Sequence, residues 1–252
     1  MTNTNRFDLR VLPDDEALGQ QAAEWLAGEI RKKPDALLGL ATGNSPSRAY
    51  DLLAARHRAE PELLARVRVL KIDEWGGLAM DDPGTCEVYL QEKVVRPWAV
   101  SADRYFGWQS RPTDPPAECG RVRRWLAGNG PMDVCVLGLG VNGHLLMNEP
   151  ADGLEPGPHL AELAETTKQH GMLKDARHQP QFGLCLGMAD ILQARKILLL
   201  VSGSSKTQPL ARLREPMVTT QFPASFLWLH PAVTLLCDRE AASQPPPPLT
   251  TL

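Results

Sequence analysis

His144 and Glu149 stand five residues apart in a glycine-rich segment, and together they could move a proton. A carboxylate beside an imidazole orients the ring and raises its basicity. The run Val136-Leu-Gly-Leu139 leads in as a buried strand. It breaks at Gly138, Gly140 and Gly143 into a turn where backbone can approach a ligand closely. A structural histidine and a simple turn at Glu149-Pro150 are the plainer readings. A second acid pair, Asp73-Glu74, follows another apolar run. Adjacent acids point in different directions, so one can enter a crevice while the other faces outward or caps a helix. An aspartate ionises near pH 3.9 in isolation and becomes a useful base only where burial raises that value. The plainer alternative is a solvated turn. No third ligand lies at a recognisable spacing that would make this acid pair a metal site.

Two further segments could hold an anion. In Thr42-Gly-Asn-Ser-Pro46, Gly43 allows a tight turn, and the amides of Gly43, Asn44 and Ser45 then face outward at a helix start. The alternative is an ordinary helix cap by Ser45 with Pro46 at the first helical position. Ser202-Gly-Ser-Ser-Lys206 repeats the pattern. A lysine in a first helical turn opposes the helix dipole, which a bound anion would explain. His57, His159, His170, His178 and His230 have no comparable setting and are read as structural or exposed. The glycines at 138, 140 and 143 formally match a dinucleotide fingerprint, but His144 follows at once and the preceding strand is not the first. No GxSxG elbow of a serine hydrolase is present.

These groups need elements to carry them. Apolar runs at 36–41, 67–72, 133–139, 196–201 and 233–237 read as strands. Helical periodicity or caps mark 15–30, 47–57, 85–95, 116–127 and 204–214. Strands alternating with helices predict an α/β fold, a doubly wound and mostly parallel sheet with helices on both faces. Four strands end in the segments 42–46, 73–75, 140–144 and 202–206. In an open parallel sheet such ends meet in one crevice. One domain over 1–242 and a Pro-rich extended tail over 243–252 are expected.

Composition narrows the class. A net charge of −3 offers no electrostatic case for nucleic acid. Cys86, Cys119, Cys135, Cys185 and Cys237 are scattered and odd in number, which fits core thiols better than disulfides or zinc. No apolar run spans a membrane, and residues 1–10 lack a signal-peptide core, so a soluble cytoplasmic protein is expected.

The motifs at 40–46, 71–75, 83–87, 136–150 and 223–230 resemble the glucosamine-6-phosphate deaminase family, and within it most the galactosamine-6-phosphate isomerases. The Asn-Gly-His…Asn-Glu-Pro element is the most specific carrier. Related 6-phosphogluconolactonases share the fold and a Gly-His turn, but typically place Asp before that glycine and lack Asn-Glu-Pro. The resemblance implies a modified Rossmann-like fold. It implies conversion of a 2-amino-2-deoxyhexose 6-phosphate to a ketohexose 6-phosphate with release of ammonia. No metal or organic cofactor is implied, and a homo-oligomer is compatible with it. Asp73 matches the carboxylate that carries the C2 proton to C1, His144 the ring-opening imidazole, and Glu149 its supporting acid. Thr42, Gly43, Asn44, Ser45 and Lys206 match phosphate contacts. A further phosphate cation is expected within 168–177, with Lys174 the choice. Asn142 stands where some relatives carry Asp; it can hydrogen-bond but cannot take up a proton. A lactonase and a sugar-phosphate sensor remain as alternatives. The sensor would need a DNA-reading domain, and only about 35 residues precede the first expected core strand.

Overall fold

The computed structural model describes residues 7–243; the expected proline-rich tail beyond Ser243 lies outside them. Among the described residues ten strands form: β1 Asp8–Leu12, β2 Leu37–Leu40, β3 Arg68–Lys71, β4 Asp73–Gly76, β5 Tyr105–Phe106, β6 Val134–Gly138, β7 His159–Ala161, β8 Phe182–Cys185, β9 Lys196–Val201 and β10 Val233–Asp238. The helices are α1 Asp15–Lys32, α2 Asn44–Ala59, α3 Cys86–Leu90, α4 Pro115–Asn129, α5 Glu165–Lys168, α6 Met188–Leu192 and α7 Thr207–Leu213.

Seven strands make one parallel sheet in the order β1-β10-β9-β6-β2-β3-β5. Both its faces are covered, because strand residues alternate between two cores. Leu198 and Leu200 join Leu26, Ile30 and Leu53 of α1 and α2 on one side. Ile197, Leu199 and Val201 join Val122, Ile191 and Leu213 on the other. The α/β, doubly wound arrangement is therefore what this chain forms. From β2 the sheet grows through β3 to β5 in one direction and from β6 through β9 to β10 in the other. The β2/β6 boundary is a topological switch point, and loops leaving the two strand ends diverge there to open a crevice.

Several elements depart from expectation. β1 is an added edge strand, so fewer residues precede the first core strand than the apolar runs indicated. Asp73-Glu-Trp75 is not a turn. It belongs to β4, which leaves the large sheet and pairs antiparallel with β8, itself paired with β7. Trp75, Leu163, Leu173 and Cys185 give this three-stranded sheet its own small core. The helix expected over 85–95 is α3 followed by a π-helical turn, Gln91–Val95. The one expected over 204–214 is a 3-10 turn, Ser204–Lys206, running into α7. Among the described residues no helix is long and apolar enough to cross a membrane.

Candidate active site

The strand ends meet in a cavity of about 780 Å³ that Thr42, Gly43, Asn44, Ser45, Asp73, His144 and Lys206 all line. Glu149 and Asn142 stand behind His144 rather than in the wall. Lys174 is exposed and does not line the cavity. From the same segment His170 does: read from sequence as structural or exposed, it is exposed and lines the cavity, which the selected lysine does not.

One end suits an anion. Gly43, not Ser45, is the N-cap of α2; its φ of 107° is a left-handed value that other residues resist, and no side chain caps the helix. The alternative of a cap by Ser45 with Pro46 opening the helix is therefore not what forms. Ser45 Oγ instead meets Ser202 Oγ at 3.2 Å, tying the two loops together. Lys206 is half-buried, and burial holds its ammonium below its usual range. No carboxylate lies within ion-pairing distance of it among the described residues. His170 Nδ1 accepts the Met172 amide at 3.3 Å, leaving Nε2 as the donor of the neutral ring. Its ring lies 5.9 Å from that of Trp75 and beside Gly43. Burial, then His144 and Lys206, disfavour its protonation.

The other end suits proton transfer. Asp73 is only 7% exposed, and its Oδ1 has no hydrogen-bond partner among the described residues. Burial, reinforced by the charge of Glu74, raises its carboxyl to about 7 against the opposing pull of Lys71 and the Cys86 thiol. Opposite lies the loop after β6. Asn142 Oδ1 accepts the His144 amide at 3.1 Å, and Asn142 Nδ2 donates to Glu149 Oε2 at 2.7 Å. Thr167 Oγ1 donates to the other Glu149 oxygen. His144 Nδ1 sits 3.4 Å from Glu149 Oε2, a charge-pairing distance rather than a short hydrogen bond. Burial works against ionisation of Glu149, but His144, Thr167 and Asn142 outweigh it and hold the carboxyl at about 2.

Gly140 and Gly143 are also needed by the loop itself, while Gly138 and Gly140 line the cavity. A Cβ on Gly140 would stand 2.5 Å from the His144 ring, and one on Gly143 would stand 2.0 Å from Phe222. Asn148, nearly fully buried, donates to the carbonyls of Leu145 and Leu186 and so pins the loop to the end of β8.

Residues 13–235 match the family described as glucosamine-6-phosphate isomerases/6-phosphogluconolactonase. The chain belongs to this family. It is 42% identical over 222 residues to the provisionally named deaminase AgaI of Escherichia coli strain K12, covering 88% of each chain. It is 37% identical to glucosamine-6-phosphate deaminase 1 of Bacillus subtilis strain 168, covering 92% of this chain and 96% of that one. A solved monomeric glucosamine-6-phosphate deaminase superposes with a TM-score of 0.90 at 35% identity, over 94% of this chain and 99% of the other. The 6-phosphogluconolactonase of Trypanosoma brucei, at 19% identity and a TM-score of 0.75 over 94% and 98%, shares the fold alone.

Within this family member, four cavity contributors escaped the sequence reading. Cys86 places its thiol 3.4 Å from Thr42 Oγ1, Trp75 and His170 form one wall, and Thr167 holds Glu149. The cue for His170 was its place inside the segment expected to supply a phosphate ligand. Cys86 follows Thr85, the helix cap that fixes where α3 starts. Among the described residues no three of His, Cys, Asp and Glu stand close enough to share a metal ion.

Proposed function

We propose that this chain converts a 2-amino-2-deoxyhexose 6-phosphate to a ketohexose 6-phosphate with release of ammonia, with galactosamine 6-phosphate preferred to glucosamine 6-phosphate. The observation that carries the reading is the pairing of two unlike acid/base groups in one cavity. A buried carboxyl poised near neutrality, Asp73, faces an imidazole backed by an already ionised Glu149. The phosphate dianion sits against the uncapped start of α2, with Lys206 and the Nε2 donor of His170 beside it. His170 takes the role that the sequence reading gave to Lys174. Anchored there, the sugar reaches the reacting groups in a fixed pose.

His144 exchanges a proton with the ring oxygen and opens the pyranose. Glu149 steadies the charged imidazole through that step. Asp73 removes the C2 proton and returns it to C1 while one proton of the substrate ammonium passes to O1, which leaves a protonated C2 imine. Water adds to that imine and ammonia leaves. An aspartate near its midpoint at neutral pH can both accept and give up the proton, which a solvated one does poorly. Similarity to named deaminases over nearly the whole chain supports the reaction class. The galactosamine preference rests on the motif resemblance alone.

Ammonia release measured side by side on both amino-sugar phosphates tests this. Turnover on both, faster with the galactosamine epimer, is expected. Faster turnover of the glucosamine epimer removes the preference. Negligible release from both, together with hydrolysis of a sugar-phosphate lactone, would replace the deaminase with a lactonase.

A further inference from the structure

Lys71 is wholly buried, and so is Glu74. A lysine with no exposure is costly unless its charge is met on the spot. Its Nζ lies 2.7 Å from Glu74 Oε2 and 2.6 Å from Glu87 Oε2. Gly107 leaves room for the stem, since a Cβ there would come within 2.8 Å of Lys71 Cε. Every contact made by Glu74 is a donor: the amides of Trp75, Cys86 and Glu87, and the Lys71 ammonium. Only an ionised carboxylate suits that set. Glu87 accepts from Lys71, from Tyr105 Oη at 2.8 Å and from Gln91 Nε2 at 2.8 Å. Two carboxylates against one ammonium leave one negative charge in excess.

The cluster sits where β3 of the large sheet passes into β4 of the small one. Asp73 is the first residue of β4, and its side chain and that of Glu74 leave opposite faces of the strand. Glu74 also binds the first amides of α3, which carries Cys86 beside Thr42. The same carboxylate thus fixes Asp73 from behind and the cavity wall next to it. We propose that Lys71, Glu74 and Glu87 are positioning residues for Asp73: they lock the β3–β4 junction to α3 and place a net negative charge behind the carboxyl. This rests on Asp73 being the base of the proposed reaction.

Lys206, His170 and the His144–Glu149 pair stand elsewhere around the cavity, and of all the charged groups Glu74 and Lys71 are the ones that move the Asp73 carboxyl. Tyr50 of α2, Cys86 of α3, Cys135 of β6 and Cys185, opposite Asp73 in the β4–β8 register, are all kept neutral, mainly by burial. Glu74 favours the protonated form of Asp73 and Lys71 opposes it. Burial works against the charge on Lys71, but Glu74 and Glu87 outweigh it and hold the ammonium above its usual value. Burial likewise opposes ionisation of Glu87, and Lys71 and the hydrogen bonds override it. An apolar trio of similar volume would pack the junction without this cost. What it could not supply is the charge.

Glu87→Gln and the pair Lys71→Met with Glu87→Gln separate charge from packing. The single change neutralises the cluster. The pair restores one excess negative charge while removing more contacts. With 13C-labelled aspartate, the Asp73 carboxyl should titrate about half a pH unit or more lower in Glu87→Gln than in the unaltered protein, and return to the original midpoint or above in the pair. The acid limb of ammonia release should follow in both directions. An Asp73 midpoint that stays put in both variants, while thermal stability falls, would make the cluster a packing element and overturn the proposal. Failure of the pair, whose net charge matches that of the unaltered cluster, to fold would do the same. Absence of ammonia release from the unaltered protein would instead sink the proposed function, and the carboxyl titration would still report on the cluster.

Discussion

Two shielded carboxylates serve one cavity, Asp73 in its wall and Glu149 behind His144, and they are driven in opposite directions. Asp73 begins a strand, with one buried oxygen that has no partner among the described residues and a second acid beside it, and its carboxyl rises to about 7. Glu149 lies in a loop, where burial also resists its charge, yet Thr167, Asn142 and His144 all favour the anion, and it falls to about 2. Burial alone therefore does not decide the role of an acid. The donors that reach its oxygens do. On the β4 wall they are limited to the weak Cys86 thiol, which leaves a group able to take and return a proton. On the β6 wall they are supplied, which leaves a fixed charge that can only support its neighbour.

The comparison can be broken most directly at Asp73. Asp73→Asn should lower ammonia release by about 10²–10⁴-fold. It should also stabilise the protein at pH 8. A carboxyl raised in the folded state adds stability only while it is protonated there, and that stability is lost as pH rises from about 4 through 7. Removing the charge should gain about 2–4 kcal/mol in urea unfolding at pH 8 and less at pH 5. A loss of stability at pH 8 would mean the ionised form is well solvated or paired. Next in size is the anion end, which the two walls share. Lys206→Ala should raise KM about 10–100-fold with turnover little changed, as expected for a charge-assisted contact at a distance from the reacting carbons. A fall confined to turnover would place the lysine elsewhere in the mechanism.

At the second wall the sign reverses. Glu149→Gln should reduce turnover about tenfold and destabilise the fold at pH 7. A carboxyl lowered in the folded state contributes stability above its unfolded value, and that contribution disappears as pH falls through about 2. The stability difference between Glu149→Gln and the unaltered protein should therefore close in strong acid, while that for Asp73→Asn widens in base. Smallest is Thr167→Val, which removes one donor to Glu149. A loss of a few-fold in turnover, about 1 kcal/mol, should be visible in steady-state assays.

How much of this was legible follows from the range of the forces involved. The parallel sheet could be read because 196–201 and 133–139 are continuous apolar runs, and buried parallel strands require them. The convergence of loops 42–45, 140–144 and 202–206 follows from strand direction alone. β4, β7 and β8 could not be read. They are three or four residues long, and the pairing of Asp73 with Cys185 spans more than a hundred residues with no local signal. His170 was passed over for the same reason. Its place at the wall depends on α5 and the turn after it folding over Trp75, whereas Lys174 was selected by charge and points outward. Gly140 and Gly143 were correctly marked as close-approach positions, but the approaching groups are the protein's own His144 and Phe222. The buried Lys71 was invisible as a charge because it occupies an alternating, mostly apolar run that reads as an ordinary strand end.

A carboxyl-13C NMR titration of the unaltered protein, resolving Asp73 and Glu149 together, tests the opposition of the two walls without relying on any substrate. The expected midpoints are near 7 for Asp73 and near 2 for Glu149. Midpoints for both close to the ordinary carboxylate range of about 4 would contradict the account.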